Sequence, residues 1–230
     1  MNAIRAAEEP DNTHSFYVDQ WDWELIIDKK DRTEAYLKHV VNIIYRTMKS
    51  LDEYLCGLIP TRSKLLKDQI RFITSEELLL KYPDKTPKER ERLATKEYGT
   101  IFLSQIGTIL SDGNKHDNRA PDYDDWLLNG DIIVYNPVLD DALELSSMGI
   151  RVDSKRLNEQ LKQSDNLDRL KYDYHSLLLD DKLPQTVGGG IGQSRLCMFF
   201  LQKAHIGEVQ VSYWPDDQRR TLANKGIQLL

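Results

Sequence analysis

The chain contains little cysteine: Cys56 and Cys197 are the only two in 230 residues. They have no metal-ligand spacing and form no disulfide framework, which predicts buried thiols in a reducing compartment. Long apolar runs are also missing, since the longest, Leu196 to Leu201, is far too short to cross a bilayer. The first residues contain no apolar leader segment. These absences predict a soluble, cytoplasmic protein.

A strong excess of charge of one sign is absent as well. The 31 basic and 37 acidic residues give a net charge of -6, and the two signs are mixed along the chain. This balance argues against binding to nucleic acid or to an anionic membrane. No internal repeat or low-complexity tract interrupts the sequence. With 40% hydrophobic residues, we expect one packed domain over residues 1–230.

The periodicity of apolar residues predicts an α+β fold built on a largely antiparallel sheet flanked by helices. The pattern gives strands at 16–27, 69–74, 101–106, 131–138, 142–152 and 209–214, and helices at 31–58, 75–80, 87–98, 154–163, 167–179 and 193–205. Thr74 and Thr86 begin capping-box patterns. A long polar loop is expected at 111–126, and Trp21 and Trp23 are interpreted as core anchors.

Two short patterns carry arginines of a nucleotide-binding type. Arg5, followed by Glu8 ahead of a long strand, resembles the second signature motif of class II aminoacyl-tRNA synthetase-like enzymes. The glycine-rich stretch from Gly188 to Arg195 resembles the third motif, whose arginine lies against ATP phosphates. The same letters also fit an exposed arginine beside a glutamate, and a glycine-rich turn that caps a core helix.

Acidic residues of the predicted hairpin form a candidate metal site. Asp131 and Glu144 can face one cleft, and paired carboxylates suit Mg²⁺ that bridges nucleotide phosphates. Strict alternation places Glu144 and Ser146 on one face and Ser147 on the other. The alternative is that both are ordinary charges on edge strands.

In the segment from Arg119 to Trp126, a cation lies beside three acids. This arrangement suits the binding of a zwitterionic amino acid, or a loop whose charges pair with one another.

Five longer segments together resemble aspartate-ammonia ligase, the ammonia-dependent asparagine synthetase family. They are Tyr17 to Glu24, Ala120 to Trp126, Leu128 to Asp131, Glu144 to Arg151 and Pro184 to Leu196. They occur in the family's order over nearly the whole chain. The resemblance implies a fold similar to the catalytic core of class II aminoacyl-tRNA synthetases such as those for aspartate and asparagine.

The resemblance also implies a two-step reaction on L-aspartate, ammonia and ATP, with Mg²⁺. The side-chain carboxylate of aspartate first forms β-aspartyl-AMP and releases pyrophosphate, and ammonia then displaces AMP to give asparagine. The family is a homodimer.

Site residues follow from the resemblance by position. The catalytic residues are Arg5, Asp22, Asp124 and Arg195. Those around the aspartate are Gln20, Asp22, Arg119, Asp124, Ser146, Ser147 and Arg151, with Arg119 on the α-carboxylate, Asp22 near the α-ammonium and Asp124 receiving ammonia. The nucleotide takes Arg5, Glu8, Asp131, Gly190, Gly192 and Arg195, and the metal takes Asp131 and Glu144.

The sequence departs from the family pattern in two places. Met1 aligns with an internal methionine of the family, so we expect an N-terminally incomplete fold that lacks the first class II motif, most of the dimer interface and part of the aspartate site. The connection from Trp126 to Asn129 is also shorter than in the family.

Three hypotheses stay open: a ligase whose start is misassigned, a truncated non-catalytic nucleotide-binding relative, and a fragment unable to fold alone. The first is favoured because both arginines, both metal-site acids and the amino-acid loop are kept. A tRNA-charging enzyme is disfavoured by the acidic charge, and a glutamine-hydrolysing synthetase by the lack of an N-terminal cysteine.

Overall fold

A mixed seven-stranded sheet forms the centre of the computed structural model, which describes residues 1–230. The strands are β1 (Asn2–Ile4), β2 (Tyr17–Ile26), β3 (Arg71–Thr74), β4 (Thr100–Ser104), β5 (Asp124–Asn136), β6 (Asp141–Arg151) and β7 (Thr186–Gly192). Their order is β1-β2-β7-β6-β5-β4-β3, and only the β3–β4 pair is parallel. The predicted hairpin of β5 and β6 is confirmed.

Seven α-helices flank the sheet. They are α1 (Glu34–Leu58), α2 (Ser75–Lys81), α3 (Pro87–Tyr98), α4 (Ser154–Gln163), α5 (Asp173–Leu179), α6 (Gln193–Phe200) and α7 (Asp216–Asn224). Both predicted capping boxes are present, at Thr74 and at Thr86, and Gly99 ends α3 with a positive φ. No helix combines the length and the apolar character that a bilayer crossing requires.

Each face of the sheet carries its own core. On one face, α1 and α6 cover a large cluster that includes Met148 and Val187. On the other face, α2 and α3 pack Leu78 and Ala94 against Ile133 of β5, but only towards the β3 end. The remainder of this second face, over β2, β7, β6 and the start of β5, carries the polar side chains of interest.

Several sequence-based predictions about the elements are wrong. The glycine run belongs to β7, whose backbone lies between β2 and β6, so the alternative of a glycine-rich turn does not hold. The following helix ends at Phe200 instead of His205, and residues 209–214 form no strand. The predicted helix at 167–179 is interrupted at Tyr172, between a 3-10 helix and α5. Neither β1 nor α7 was apparent from periodicity, because both are short and largely exposed.

Three side chains also lie elsewhere than expected. Trp21 is 57% exposed, so only Trp23 acts as a core anchor. Cys197 is an exposed thiol, while Cys56 is half-buried. The predicted loop ends at Tyr123, since β5 already begins at Asp124. The shortened connection from Trp126 to Asn129 is therefore an irregular part of β5, where the register with β6 shifts.

Candidate active site

One row of polar positions crosses the four strands of the open sheet face. Asp131 on β5 pairs with Ser147 on β6, Ser147 with Gly190 on β7, and Gly190 with Asp22 on β2. Directly paired positions in neighbouring strands project on the same face. The row therefore brings residues that are far apart in sequence onto one surface, with a glycine in the middle.

A β-bulge determines which serine joins this row. Ser146 pairs with Ile132 and Glu144 pairs with Ile133, so Leu145 has no partner and the alternation of β6 is broken. The extra residue turns Ser147 to the side of Glu144. The prediction that Ser147 faces away from Glu144 is thus wrong, because it assumed uninterrupted alternation. Ser146 is buried, and its hydroxyl donates to the Gly190 carbonyl at 2.9 Å.

Two cavities open on this face and meet along the row. The larger, of about 460 Å³, reaches from Arg5 and Arg195 to Glu144 and is here named the nucleotide cavity. The smaller, of about 300 Å³, contains Asp22 and Asp124 and is named the aspartate cavity. The residues common to both are Gln20, Arg119, Ser147 and Gly190. These four residues are therefore accessible to a molecule in either cavity.

Most residues predicted from the sequence lie at these cavities. The residues that line the nucleotide cavity but not the aspartate cavity are Arg5, Glu8, Glu144, Ser146, Gly192 and Arg195. Those that line the aspartate cavity but not the nucleotide cavity are Asp22, Asp124 and Arg151. Asp131 lines neither, because Arg119 covers it. Ser146, predicted to contact the amino acid, lines the cavity named for the nucleotide and not the one named for aspartate.

The two motif arginines stand in different surroundings. Arg195 is held by the carbonyls of Glu144 and Thr13, at 3.1 and 3.5 Å, and lies 3.9 Å from the Glu144 carboxylate. Arg5 is 54% exposed and donates to Glu8 at 3.3 Å. Arg195 is therefore fixed in place, while Arg5 keeps most of its N–H groups free for a ligand.

Asp131 is a strongly perturbed acid of the site. Burial and the negative charge of Glu144 raise the pKa of Asp131, and the neighbouring Arg119 opposes this effect. Arg119 donates to Asp131 Oδ2 and, at 3.2 Å, to the Ser147 hydroxyl. The other carboxylate oxygen, Oδ1, is buried and has no hydrogen-bond partner.

This carboxylate pair fits a divalent cation. An orphan buried oxygen on Asp131 and a repelling charge on Glu144 are both relieved when a cation binds between them. No group of three or more His, Cys, Asp or Glu side chains forms a cage. Two carboxylates are nevertheless the usual protein share for Mg²⁺ that also binds substrate phosphates.

Asp124 and Arg151 line the aspartate cavity together with Tyr123, and Glu24 pairs with Arg151 without lining this cavity. The sequence interpretation missed both Tyr123 and Glu24. Arg151 donates to Asp124, to Glu24 at 2.7 Å and to the Tyr123 hydroxyl at 2.9 Å. Its guanidinium also lies 3.8 Å from the centre of the Tyr123 ring. Burial raises the pKa of Asp124, against the opposing charge of Arg151. Glu24 follows Asp22 by two residues, and this alternation was the available signal.

Another missed group lies in the lining of the nucleotide cavity. Gln210 donates to Ser194 and Asp19 at 2.9 and 3.2 Å, and it accepts from Ser15. Ser194 in turn donates to Asp19 at 2.7 Å. These contacts fasten β2 to the first turn of α6, directly before Arg195. No sequence pattern revealed them, because Gln210 belongs to the segment that was predicted as a strand.

Solved structures define the class of this fold. The aspartyl-tRNA synthetase of Entamoeba histolytica superimposes with a TM-score of 0.64 at 15% identity, covering 91% of this chain and 45% of that one. The asparaginyl-tRNA synthetase of the same organism, in complex with asparaginyl-adenylate, gives 0.63 at 17% identity, covering 91% and 50%. The predicted fold class, that of the class II aminoacyl-tRNA synthetase catalytic core, is confirmed.

Sequence relatives identify the family within this class. The family model for aspartate-ammonia ligase matches residues 1–226. The aspartate-ammonia ligase of Fusobacterium nucleatum is 57% identical over 230 residues, which are 100% of this chain and 70% of that protein. The ligase of Clostridium perfringens strain SM101 is 54% identical, with 100% and 68% covered. The chain belongs to the aspartate-ammonia ligase family, a family of enzymes.

Proposed function

We propose that this chain is an ATP-dependent ligase that converts L-aspartate and ammonia to L-asparagine through β-aspartyl-AMP. One observation carries the proposal: the two cavities meet at Gln20, Arg119, Ser147 and Gly190. A carboxylate in one cavity and an α-phosphate in the other would be neighbours there. Proximity of this kind contributes a large part of such catalysis. In this proposal residues 1–230 act as one catalytic domain.

The first step joins aspartate to AMP. An oxygen of the aspartate side-chain carboxylate attacks the α-phosphorus of ATP, and the bond from that phosphorus to the bridging oxygen of the β-phosphate breaks. Pyrophosphate leaves with the electron pair. Arg5 and Arg195 would neutralise charge on the phosphates as it develops. Arg119 lies where the cavities meet and would hold the α-carboxylate, and Asp22 would hold the α-ammonium.

The second step replaces AMP by ammonia. The nitrogen attacks the acyl carbon, the bond from that carbon to the AMP oxygen breaks, and the nitrogen gives up a proton. Asp124 is the carboxylate assigned to receive the ammonia. Its position fits, because it lines the aspartate cavity but not the nucleotide cavity. Its raised pKa also favours acceptance of a proton.

Asp131 and Glu144 would hold Mg²⁺ in this proposal. When bound, the ion would neutralise negative charge on the phosphates. Arg119 now pairs with Asp131 Oδ2, while Oδ1 is the oxygen left for the ion.

The experiment is incubation with aspartate, ammonium and Mg-ATP, followed by quantification of asparagine, AMP and pyrophosphate. Equal amounts of the three products are expected. Asp22→Ala and Arg119→Ala should weaken aspartate binding and slow pyrophosphate release, whereas Asp217→Ala, on exposed α7, serves as the matched control. Unchanged aspartate affinity in both variants would show that the site is misassigned. Nucleotide binding without turnover would support the non-catalytic alternative. The homodimer and the cytoplasmic location stay predictions.

A further inference from the structure

Lys88 brings a fourth cation to the nucleotide cavity, and no part of the reaction described above uses it. The cavity is lined by the cations Arg5, Lys88, Arg119 and Arg195 and by the acids Glu8, Asp19, Asp117 and Glu144. Lys88 is the second residue of α3. Because α3 packs on the same sheet face as Asp131, its first turn projects towards the cavity.

The ammonium of Lys88 is held but not buried. Its Nζ lies 2.9 and 3.3 Å from the two carboxylate oxygens of Glu91, and its side chain is 75% exposed. The charges of Glu144 and Asp117 also act on it. An exposed i,i+3 pair alone contributes only a few tenths of a kcal/mol to helix stability. Helix stability alone therefore does not explain why a lysine lies at this point of the cavity.

Glu91 itself is anchored from the other side. Its carboxylate is 7% exposed and accepts from His116 Nε2 at 2.9 Å. His116 is 1% exposed, its Nδ1 has no partner, and it belongs to the loop that carries Arg119. A buried carboxylate needs such partners to remain charged. Glu91 thus connects α3, the loop and the Lys88 ammonium in one arrangement.

The position of Lys88 in the cavity indicates which phosphates of a bound nucleotide it would contact. Lys88 is not among the four residues at which the two cavities meet, where the α-phosphate is expected. It lines the same cavity as Glu144, one of the two candidate metal ligands, whose negative charge acts on it. A metal of this kind bridges the outer phosphates of a nucleotide.

We propose that Lys88 binds the β- and γ-phosphates of ATP, the group that leaves as pyrophosphate, and that Glu91 and His116 position it. The inference rests on the proposed function. A lysine ammonium is a compact, movable point charge, suited to a phosphate that departs. In this role Lys88 touches the substrate, while Glu91 and His116 act through it.

The test compares the affinities of Mg-ATP and AMP by calorimetric titration of the whole chain. Lys88→Gln should weaken Mg-ATP binding roughly 10- to 100-fold, the usual range for a hydrogen bond between charged groups. AMP affinity should not change, which also shows that the variant is folded. Lys88→Arg should restore most of the ATP affinity. Lys85→Gln, an exposed lysine just before α3 and outside the cavity, should bind both nucleotides as the parent does.

Each outcome decides between roles. Equal losses for ATP and AMP would make Lys88 a structural residue, and an unchanged ATP affinity would remove it from the site. Glu91→Gln should lower ATP affinity less than Lys88→Gln does, and the double variant should lose no more than Lys88→Gln alone. If the parent binds AMP and ATP equally well, the β- and γ-phosphates have no site and the inference is wrong. If the parent binds neither nucleotide, the proposed function fails first.

Discussion

Substituting alanine for each of two adjacent glycines of β7, Gly189 and Gly190, should have opposite effects: one substitution should lower stability and the other should lower activity. Successive strand residues face opposite sides of a sheet. A Cβ on Gly190 would meet only the ends of side chains at the site, Asp22 Oδ1 at 3.0 Å and Gln20 Oε1 at 3.1 Å. A Cβ on Gly189 would meet Met148 Cβ and the Ser147 carbonyl oxygen, both at 2.5 Å.

The magnitudes follow from what each methyl displaces. At Gly190 two flexible carboxylate and amide groups can withdraw, so Gly190→Ala should change stability by no more than about 0.5 kcal/mol. The withdrawal moves Asp22 and Gln20 in the aspartate cavity, and a misplacement of this kind can lower the rate about 100-fold. At Gly189 the backbone must shift, at a cost of about 1–3 kcal/mol. For a chain of this size that cost lowers Tm by about 2 to 12 °C.

The assay pairs thermal unfolding with the initial rate of pyrophosphate release. Gly190→Ala should keep the parent's Tm and lose activity through weaker aspartate binding. Gly189→Ala should unfold at a lower temperature and, well below that temperature, retain much more activity than Gly190→Ala. If Gly190→Ala has the parent's aspartate affinity, the row from Asp131 to Asp22 is not the floor of the site. If both variants lose the same stability, the assignment of faces is wrong.

Two further predictions concern buried charges. Asp52 is fully buried, pairs with Arg62 at 2.6 Å and accepts from the backbone N–H groups of Leu65 and Leu66. Asp52→Ala leaves a buried cation unpaired, so the free energy of unfolding measured in urea should fall by about 3–5 kcal/mol. Because burial raises the pKa of Asp131, protons should displace Mg²⁺ as the pH falls through that raised pKa, so the metal-dependent part of ATP affinity is lost on the acidic side. Asp131→Asn should bind Mg-ATP weakly with little pH dependence in titrations across that range, and a variant that keeps the parent's profile would refute the metal role.

Local signals predicted much of the fold. The capping boxes at Thr74 and Thr86 and the glycine after α3 fixed helix ends, because these contacts lie within a few residues. Periodicity located β2 and the hairpin of β5 and β6. It failed for the glycine run, since glycines carry no side-chain pattern, and their place between two strands depends on pairing with distant residues. It failed again at residues 209–214, where alternation is not supported by any pairing strand.

Most of the residues predicted for the site line the two cavities, but their geometry was less predictable. Family segments named Asp22, Asp131 and Arg151, and the strand alternation of β2 agreed with the first. The bulge at Leu145 was not predictable, because a single inserted residue leaves no mark on composition and reverses the faces beyond it. Glu24, the partner of Arg151, was missed although it continues the same alternation. The alternation within one strand shows which residues share a face, but not which charged residue of another strand pairs with them.

The loop before β5 shows no apolar periodicity, yet it places Arg119 at both cavities. The loop is fastened at three places: His116 to Glu91, the Trp126 indole to the Ala120 carbonyl at 3.2 Å, and Asp122 to Arg169 and His175. Between these points, Arg119 lines both cavities and covers Asp131. One guanidinium thus pairs with the candidate metal ligand and is also assigned to the aspartate carboxylate in the proposed reaction. Because it cannot fully serve both, binding of a cation at Asp131 should free Arg119 for aspartate, and the two cavities should fill with positive coupling.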